Sequence, residues 1–255
     1  MDGLLKLGAI RARLILAIIM LIIGVIVIML IVNVPLSPEI KKLLINYEED
    51  YNPLNIQNIM WIFFFIGVGE LLYRLVTGFN YKKGLEQSYL PEDEISLLTS
   101  NDTRDLYKKI NKKIERVDDI PSMIKRLILH FNANKSISQT HDMLNSQIDM
   151  KYNNMDTQYS MIRYITWVIP TFGFIGTVIG ISLSLAYAGA NDPQATTFLQ
   201  EITSRLGIAF DTTLLALCMS TFLVLMMHII QSFEEQVMVK LEEYLLDNFI
   251  NRLYV

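Results

Sequence analysis

One cysteine, three histidines and seven prolines in 255 residues leave few chemical options. The single thiol, Cys218, forms neither a disulfide framework nor a cysteine metal site. It falls inside an apolar stretch, where a small core side chain is expected. His130 and His141 have no metal-ligand partners at useful spacing, and His228 is expected to snorkel or donate one ring hydrogen bond near a span end. With no nucleophile constellation either, neither a metal site nor an enzyme is expected. Charged residues make up only 19% of the chain, and a net charge of −4 leaves no basic footprint for nucleic acid. Apolar residues are in excess, at 52% with a mean hydropathy of +0.34. This is the composition of an integral membrane protein, whose surroundings are a lipid bilayer.

Four apolar stretches organise the chain. Residues 14–32 are apolar apart from Gly24, long enough to cross about 30 Å of hydrocarbon. The run exceeds a signal-peptide core, and Asn33-Val34-Pro35-Leu36-Ser37-Pro38 has no small-x-small cleavage pattern, so it is expected to stay as an anchor. Residues 59–76 carry Glu70 and, one turn later, Arg74, a pair placed to share an interfacial salt bridge. The reading is an all-α polytopic membrane protein. Residues 1–34 form the N-terminus and first span, 35–58 an outer loop, 59–77 the second span, and 78–160 a cytoplasmic helical domain. Residues 161–188 form the third span, 189–204 an outer loop, 205–231 the fourth span, and 232–255 a cytoplasmic C-terminal helix.

Lysine and arginine set the orientation. Lys6, Arg11 and Arg13 precede the first span, twelve basic residues lie in 77–161, and 189–204 has none. Both termini and the long middle segment are therefore expected in the cytoplasm. The 33–58 segment mixes Lys41 and Lys42 with Glu39, Glu48, Glu49 and Asp50. In the middle segment, 105–119 places Leu106, Ile110, Ile114 and Val117 on one helical stripe, with Asn101 or Asp102 as the cap. Pro121 opens a second helix over 122–131. Residues 138–159 and 232–254 contain neither proline nor glycine, so both are expected to continue the third and fourth spans as long helices. Glu234 and Glu235 belong either to a solvated helix face or to a ring of acids at a cytoplasmic exit.

The third and fourth spans hold polar residues that a lipid-facing helix avoids. In the third, Gly173, Gly176 and Gly180 keep one side thin for a close neighbour, and Pro170 frees a carbonyl one turn earlier. Thr177 lies among them, either bonded back to its own backbone or facing a path. In the fourth, Asp211, Thr212 and Thr213 form the strongest polar cluster. At 1.5 Å per residue, Thr213 lies about 12 Å and Thr177 about 15 Å from the outer end of its helix, so the two meet at nearly one level, with Asp211 about 3 Å higher. Asp211 is either a polar clasp between helices or subunits, or a cation-attracting group near the outer mouth. No internal repeat is visible, so a channel needs several copies.

Pro170-Thr171-Phe172-Gly173-Phe174-Ile175-Gly176-Thr177-Val178-Ile179-Gly180 resembles the first signature of the MotA/TolQ/ExbB proton-channel family. Leu206-Gly207-Ile208-Ala209-Phe210-Asp211-Thr212-Thr213-Leu214-Leu215-Ala216-Leu217 resembles the second. The four-span plan is closer to the motor-stator branch than to the three-span one. The resemblance implies a ring of five copies, that is, four further copies of this chain. It also implies two copies of a single-span MotB/TolR/ExbD-like partner that carries the essential aspartate, in a bacterial inner membrane. Thr177, Thr213, Asp211 and Thr212 are then the ion-path candidates, with protons as the ion or sodium in their place, and no cofactor. Two departures stand out: Asp211 occupies a position usually uncharged, and Ala216 replaces a common glycine, so helix contact there is expected to be less close. Flagellar-type rotor charges are not recognised in 77–161, which points to a less studied branch.

Overall fold

The computed structural model describes residues 2–46, 55–92, 97–113 and 119–254. Glu48, Glu49 and Asp50 of the outer loop, and Ile114 and Val117 of the anticipated stripe, lie outside them. The chain is all-α: α1 Asp2–Asn33, α2 Pro38–Ile45, α3 Ile56–Leu85, α4 Ser100–Lys113, α5 Asp119–Asn134, α6 Ile137–Ala190 and α7 Phe198–Asn248. Four of these, α1, α3, α6 and α7, are long and apolar enough to cross a membrane. With 54 and 51 residues, α6 and α7 rise about 80 and 75 Å, more than twice a hydrocarbon core of about 30 Å. Both continue without a break through the segments that lack proline and glycine.

The residues form two compact units. The membrane unit comprises Lys6–Tyr73 and Ser160–His228; the extramembrane unit comprises Met1–Leu5, Arg74–Tyr159 and Ile229–Val255. Small residues set the helix spacing in the membrane unit. A Cβ on Gly24 of α1 would stand 2.7 Å from the Phe65 ring of α3, and one on Gly67 would stand 3.2 Å from both Ile165 and Leu223. Arg13 of α1 grips Glu70 of α3 with both arms of its fork, Nε to Oε2 at 2.7 Å and Nη2 to Oε1 at 2.6 Å. The expected Glu70–Arg74 pair is thus replaced. Arg74 is engaged by another carboxylate, Glu234, with Nη2 2.6 Å from Oε2.

Residues 35–58, expected as a loop, contain a helix. Ser37-Pro38-Glu39 starts α2, with proline in its first turn. Its end is closed by the left-handed Asn46 and by donors from the start of α3. Gln57 Nε2 donates to Lys42 O and Leu43 O, and Trp61 Nε1 donates to Leu44 O at 2.9 Å. Carbonyls that a helix terminus leaves open are thereby satisfied next to the membrane.

In the extramembrane unit, α4 and α5 bury Leu106, Ile110, Ile124, Leu127 and Phe131 against Leu144 and Ile148 of α6, Leu241 and Leu245 of α7, and Phe249 just after α7. Helix α4 starts earlier than the stripe indicates. Asp102 accepts hydrogen bonds from the Thr99 amide and hydroxyl, closing the N-terminus as a capping box does. Those two bonds hold the Asp102 carboxyl below its ordinary value. Pro121 sits in the first turn of α5 rather than before it, because no amide is needed there. The last residues leave the helix: Leu98 donates to Arg252 O at 2.7 Å and Tyr254 to Leu98 O at 3.1 Å, an isolated parallel bridge.

Candidate functional site

Within the membrane unit, α6 and α7 meet along a seam of small residues. A Cβ on Gly173 would lie 2.5 Å from Ala216 Cβ, on Gly176 2.6 Å from Thr212 Oγ1, and on Gly180 2.6 Å from Ala209 Cβ. The three glycines stand where α6 and α7 come within reach of a single methyl. Ala216, expected to loosen the contact, instead seats its methyl in the space Gly173 leaves open.

This close approach brings the two threonines together. Thr177 Oγ1 is hydrogen-bonded to Thr213 Oγ1, and lies 3.1 Å from Ala209 O and 3.2 Å from Gly173 O. Thr213 Oγ1 lies 3.0 Å from Gly173 O and 3.5 Å from Ala209 O. Each hydroxyl reaches the carbonyl one turn back on its own helix and the matching carbonyl on the other. Backbone bonding and cross-helix bonding coexist. Both threonines are half-buried at one edge of the seam, where the neighbouring helix positions are the exposed apolar Phe174, Ile181, Phe210 and Leu217.

The other candidates separate by helix geometry. Thr212 is buried in the seam beneath Gly176, its hydroxyl bonded to Ala209 O at 2.8 Å. Its side chain fills the space that Gly176 leaves open. Asp211 is two residues from Thr213, a turn of about 200°, so the two lie on opposite sides of α7. It lies on the stripe of Ser204, Ile208 and Leu215. On this stripe the Lys42 ammonium donates to Ser204 Oγ at 2.7 Å. Cys218 is exposed rather than a core side chain.

Pro170 lacks the amide that would bond Thr166 O. That carbonyl is taken instead by the hydroxyl of Ser220, at 2.8 Å. The proline alone identifies the released carbonyl but not its partner. A signal for the partner exists in the spacing, since Ser220 lies seven residues after Thr213 and so on the same stripe.

In the extramembrane unit, Glu234 is buried rather than on a solvated face. It is 3% exposed and paired with Arg74, itself 4% exposed, through Arg74 Nη2 to Glu234 Oε2 at 2.6 Å. Tyr159 donates its hydroxyl to the same oxygen at 2.7 Å, Arg74 Nη1 donates to Gln158, and the guanidinium lies 4.8 Å from the Tyr159 ring centre. The adjacent cavity, about 60 Å³, is lined by Thr77, Tyr81, Lys151 and Asn154. Burial pushes the Glu234 carboxyl above its usual range, while Arg74 and the Tyr159 hydroxyl pull the other way. Glu235 is half-buried and accepts from Gln231 at 2.9 Å. The local reason is the tight start of the extramembrane stretch of α3: a Cβ on Gly78 would stand 2.9 Å from the Phe233 ring and 3.1 Å from Glu234 Cγ.

Among the described residues, no group of histidine, cysteine, aspartate and glutamate is placed to hold a metal ion. No curated protein and no solved structure matches the chain significantly. Residues 106–243, more than half of the chain, match a family of membrane proteins and contain both glycine–threonine signatures, the seam and the hydroxyl pair. The chain belongs to the MotA/TolQ/ExbB proton channel family.

Proposed function

We propose that this chain is the proton-conducting subunit of an ion-driven motor in a bacterial inner membrane, with both termini in the cytoplasm. Members of the family are non-catalytic channel and stator subunits. Five copies surround two copies of a single-span partner, and the partner's aspartate carries the proton past Thr177 and Thr213. Proton flow then turns the ring around the pair.

The observation that carries this reading is the hydroxyl pair at one level on an apolar edge. A hydroxyl has one proton and two acceptor lone pairs. Two protons serve the contacts of Thr177 and Thr213 to each other and to Gly173 O and Ala209 O, so acceptor capacity is left over. A protonated carboxyl is welcomed at such an edge and an ionised one is not. Phe174 and Phe210, 67% and 64% exposed, supply the apolar surroundings that other copies and a partner helix cover.

The test is to purify the complex from detergent, count its copies, identify the bound single-span protein and measure flux in vesicles. Thr177→Val, which keeps the shape and removes the hydroxyl, is expected to abolish proton-driven flux. Asp211→Asn, on the other side of α7, is expected to change rate or selectivity and to do less. Flux that follows a sodium gradient instead would change the ion and keep the motor. Unchanged flux in Thr177→Val would leave a packing scaffold without conduction.

A further inference from the structure

We infer that Ser220 and the Thr166 carbonyl form a second polar station of the ion path, below the threonine pair on the same edge of the α6–α7 seam. The inference rests on the conduction reading and extends it to residues that neither signature contains.

Position comes first. Ser220 follows Thr213 by seven residues, two turns of α7, which places it about 10 Å along the helix and within about 20° of the same direction. Thr213 and Ser220 are both half-buried. Between and around them the stripe is apolar, so they are the hydroxyls that α7 offers along this edge.

Chemistry comes second. Thr166 O has lost its helical donor because residue 170 is proline. A carbonyl in that state needs a donor from outside its own helix ladder. Ser220 Oγ donates its one proton to it at 2.8 Å, which leaves the serine oxygen with acceptor capacity only. The Thr166 hydroxyl also spends its proton inward, on Arg163 O at 2.9 Å. The station therefore presents oxygen lone pairs and no protons, as the threonine pair does. It would receive hydronium or a protonated water chain and would not hold an anion. Two acceptor stations about 10 Å apart are bridged by a few waters, whereas one station alone leaves the lower part of the seam apolar.

The bland alternative is that Ser220 merely satisfies a carbonyl orphaned by proline. Pro170→Ala separates the two, because it returns an amide donor to Thr166 O and makes Ser220 unnecessary for packing. Flux is measured in vesicles carrying the complex with its bound partner, under an imposed pH gradient and per assembled complex. Ser220→Ala is expected to lower flux about tenfold, the size of one lost hydrogen bond in a rate-limiting passage, and Ser220→Thr to retain it. In the Pro170→Ala background, adding Ser220→Ala is expected to lower flux again by a similar factor. Equal flux with and without Ser220 in that background overturns the station, and so does unchanged flux in Ser220→Ala alone. Thr177→Val runs alongside: if it abolishes flux while Ser220→Ala does nothing, only the second station is lost. If neither changes flux, the conduction reading itself has failed.

Discussion

Arg74→Ala is expected to destabilise the extramembrane unit by about 3–5 kcal/mol, because it leaves a buried carboxylate without its cation. Glu234 is closed off from water, and without Arg74 its remaining donor is the Tyr159 hydroxyl. The deficit depends on pH with a definite sign. Burial already raises the proton affinity of Glu234 in the folded state, and Arg74 opposes that rise. A carboxyl raised in this way contributes stability that is complete below its unfolded pKa and is lost as pH rises through the folded value. Removing Arg74 pushes the folded value further up and deepens that loss. The deficit should therefore be smaller near pH about 4 than near pH about 8. Denaturant unfolding of the purified protein at both pH values measures it. Equal deficits would show that lost packing on Tyr159, not the unpaired charge, is responsible. A second variant, Arg74→Met with Glu234→Gln, removes both charges and is expected to recover most of the loss, since well-packed neutral groups often replace a buried pair at little cost.

The helices of this unit are legible in the sequence and its ion pair is not, for a physical reason. Apolar periodicity reports which face of a helix is buried, and Leu106, Ile110, Leu127 and Leu241 all lie in the core it implies. A charge reads as surface whatever its spacing, so Glu234 is grouped with the exposed Glu243 and Asp247, although it stands three, seven and eleven residues before the buried Val237, Leu241 and Leu245. The same holds for Glu70. Spacing offers Arg74 as its partner, while the partner it has, Arg13, is 57 residues away. The seam is more legible because it is built from absence: glycines at three- and four-residue spacing leave little choice of neighbour. Two antiparallel spans joined by one short segment place Thr177 and Thr213 level, and their hydroxyls do meet. Helix periodicity by itself also separates Asp211 from Thr213, since residues two apart on a helix point to opposite sides. Depth alone does not make that distinction, and it groups the two as one cluster. Helix α2 escapes periodicity because its eight residues are too few for a pattern, although Ser-Pro-Glu marks its start.

Gly173→Ala is the substitution expected to do most damage to the site with the least change in chemistry. The added methyl would stand 2.5 Å from Ala216 Cβ, with Thr212 O and Thr213 Cα both at 3.3 Å behind it. A flexible side chain could turn away from such a contact; a methyl fixed to a helix backbone cannot, so the helices must separate locally. Overpacking of this kind costs about 1–3 kcal/mol. Function should suffer more than stability. Gly173 O is itself an acceptor of the Thr213 hydroxyl at 3.0 Å, and a shift of a few tenths of an ångström there loosens the whole hydroxyl cluster. Ion-driven flux per assembled complex is therefore expected to fall at least as far as in Thr177→Val, while the protein still folds and assembles. The strongest check is compensation. Ala216→Gly removes the methyl that collides, so the pair Gly173→Ala with Ala216→Gly moves one carbon across the seam and keeps its total volume. The double variant should regain a large part of the flux, and Ala216→Gly alone should lose little. Were Gly173→Ala to conduct normally, the closeness of α6 and α7 would not be what holds the threonines in register. Were the double variant to stay as inactive as the single one, the damage would lie in Gly173 itself rather than in the space between the helices.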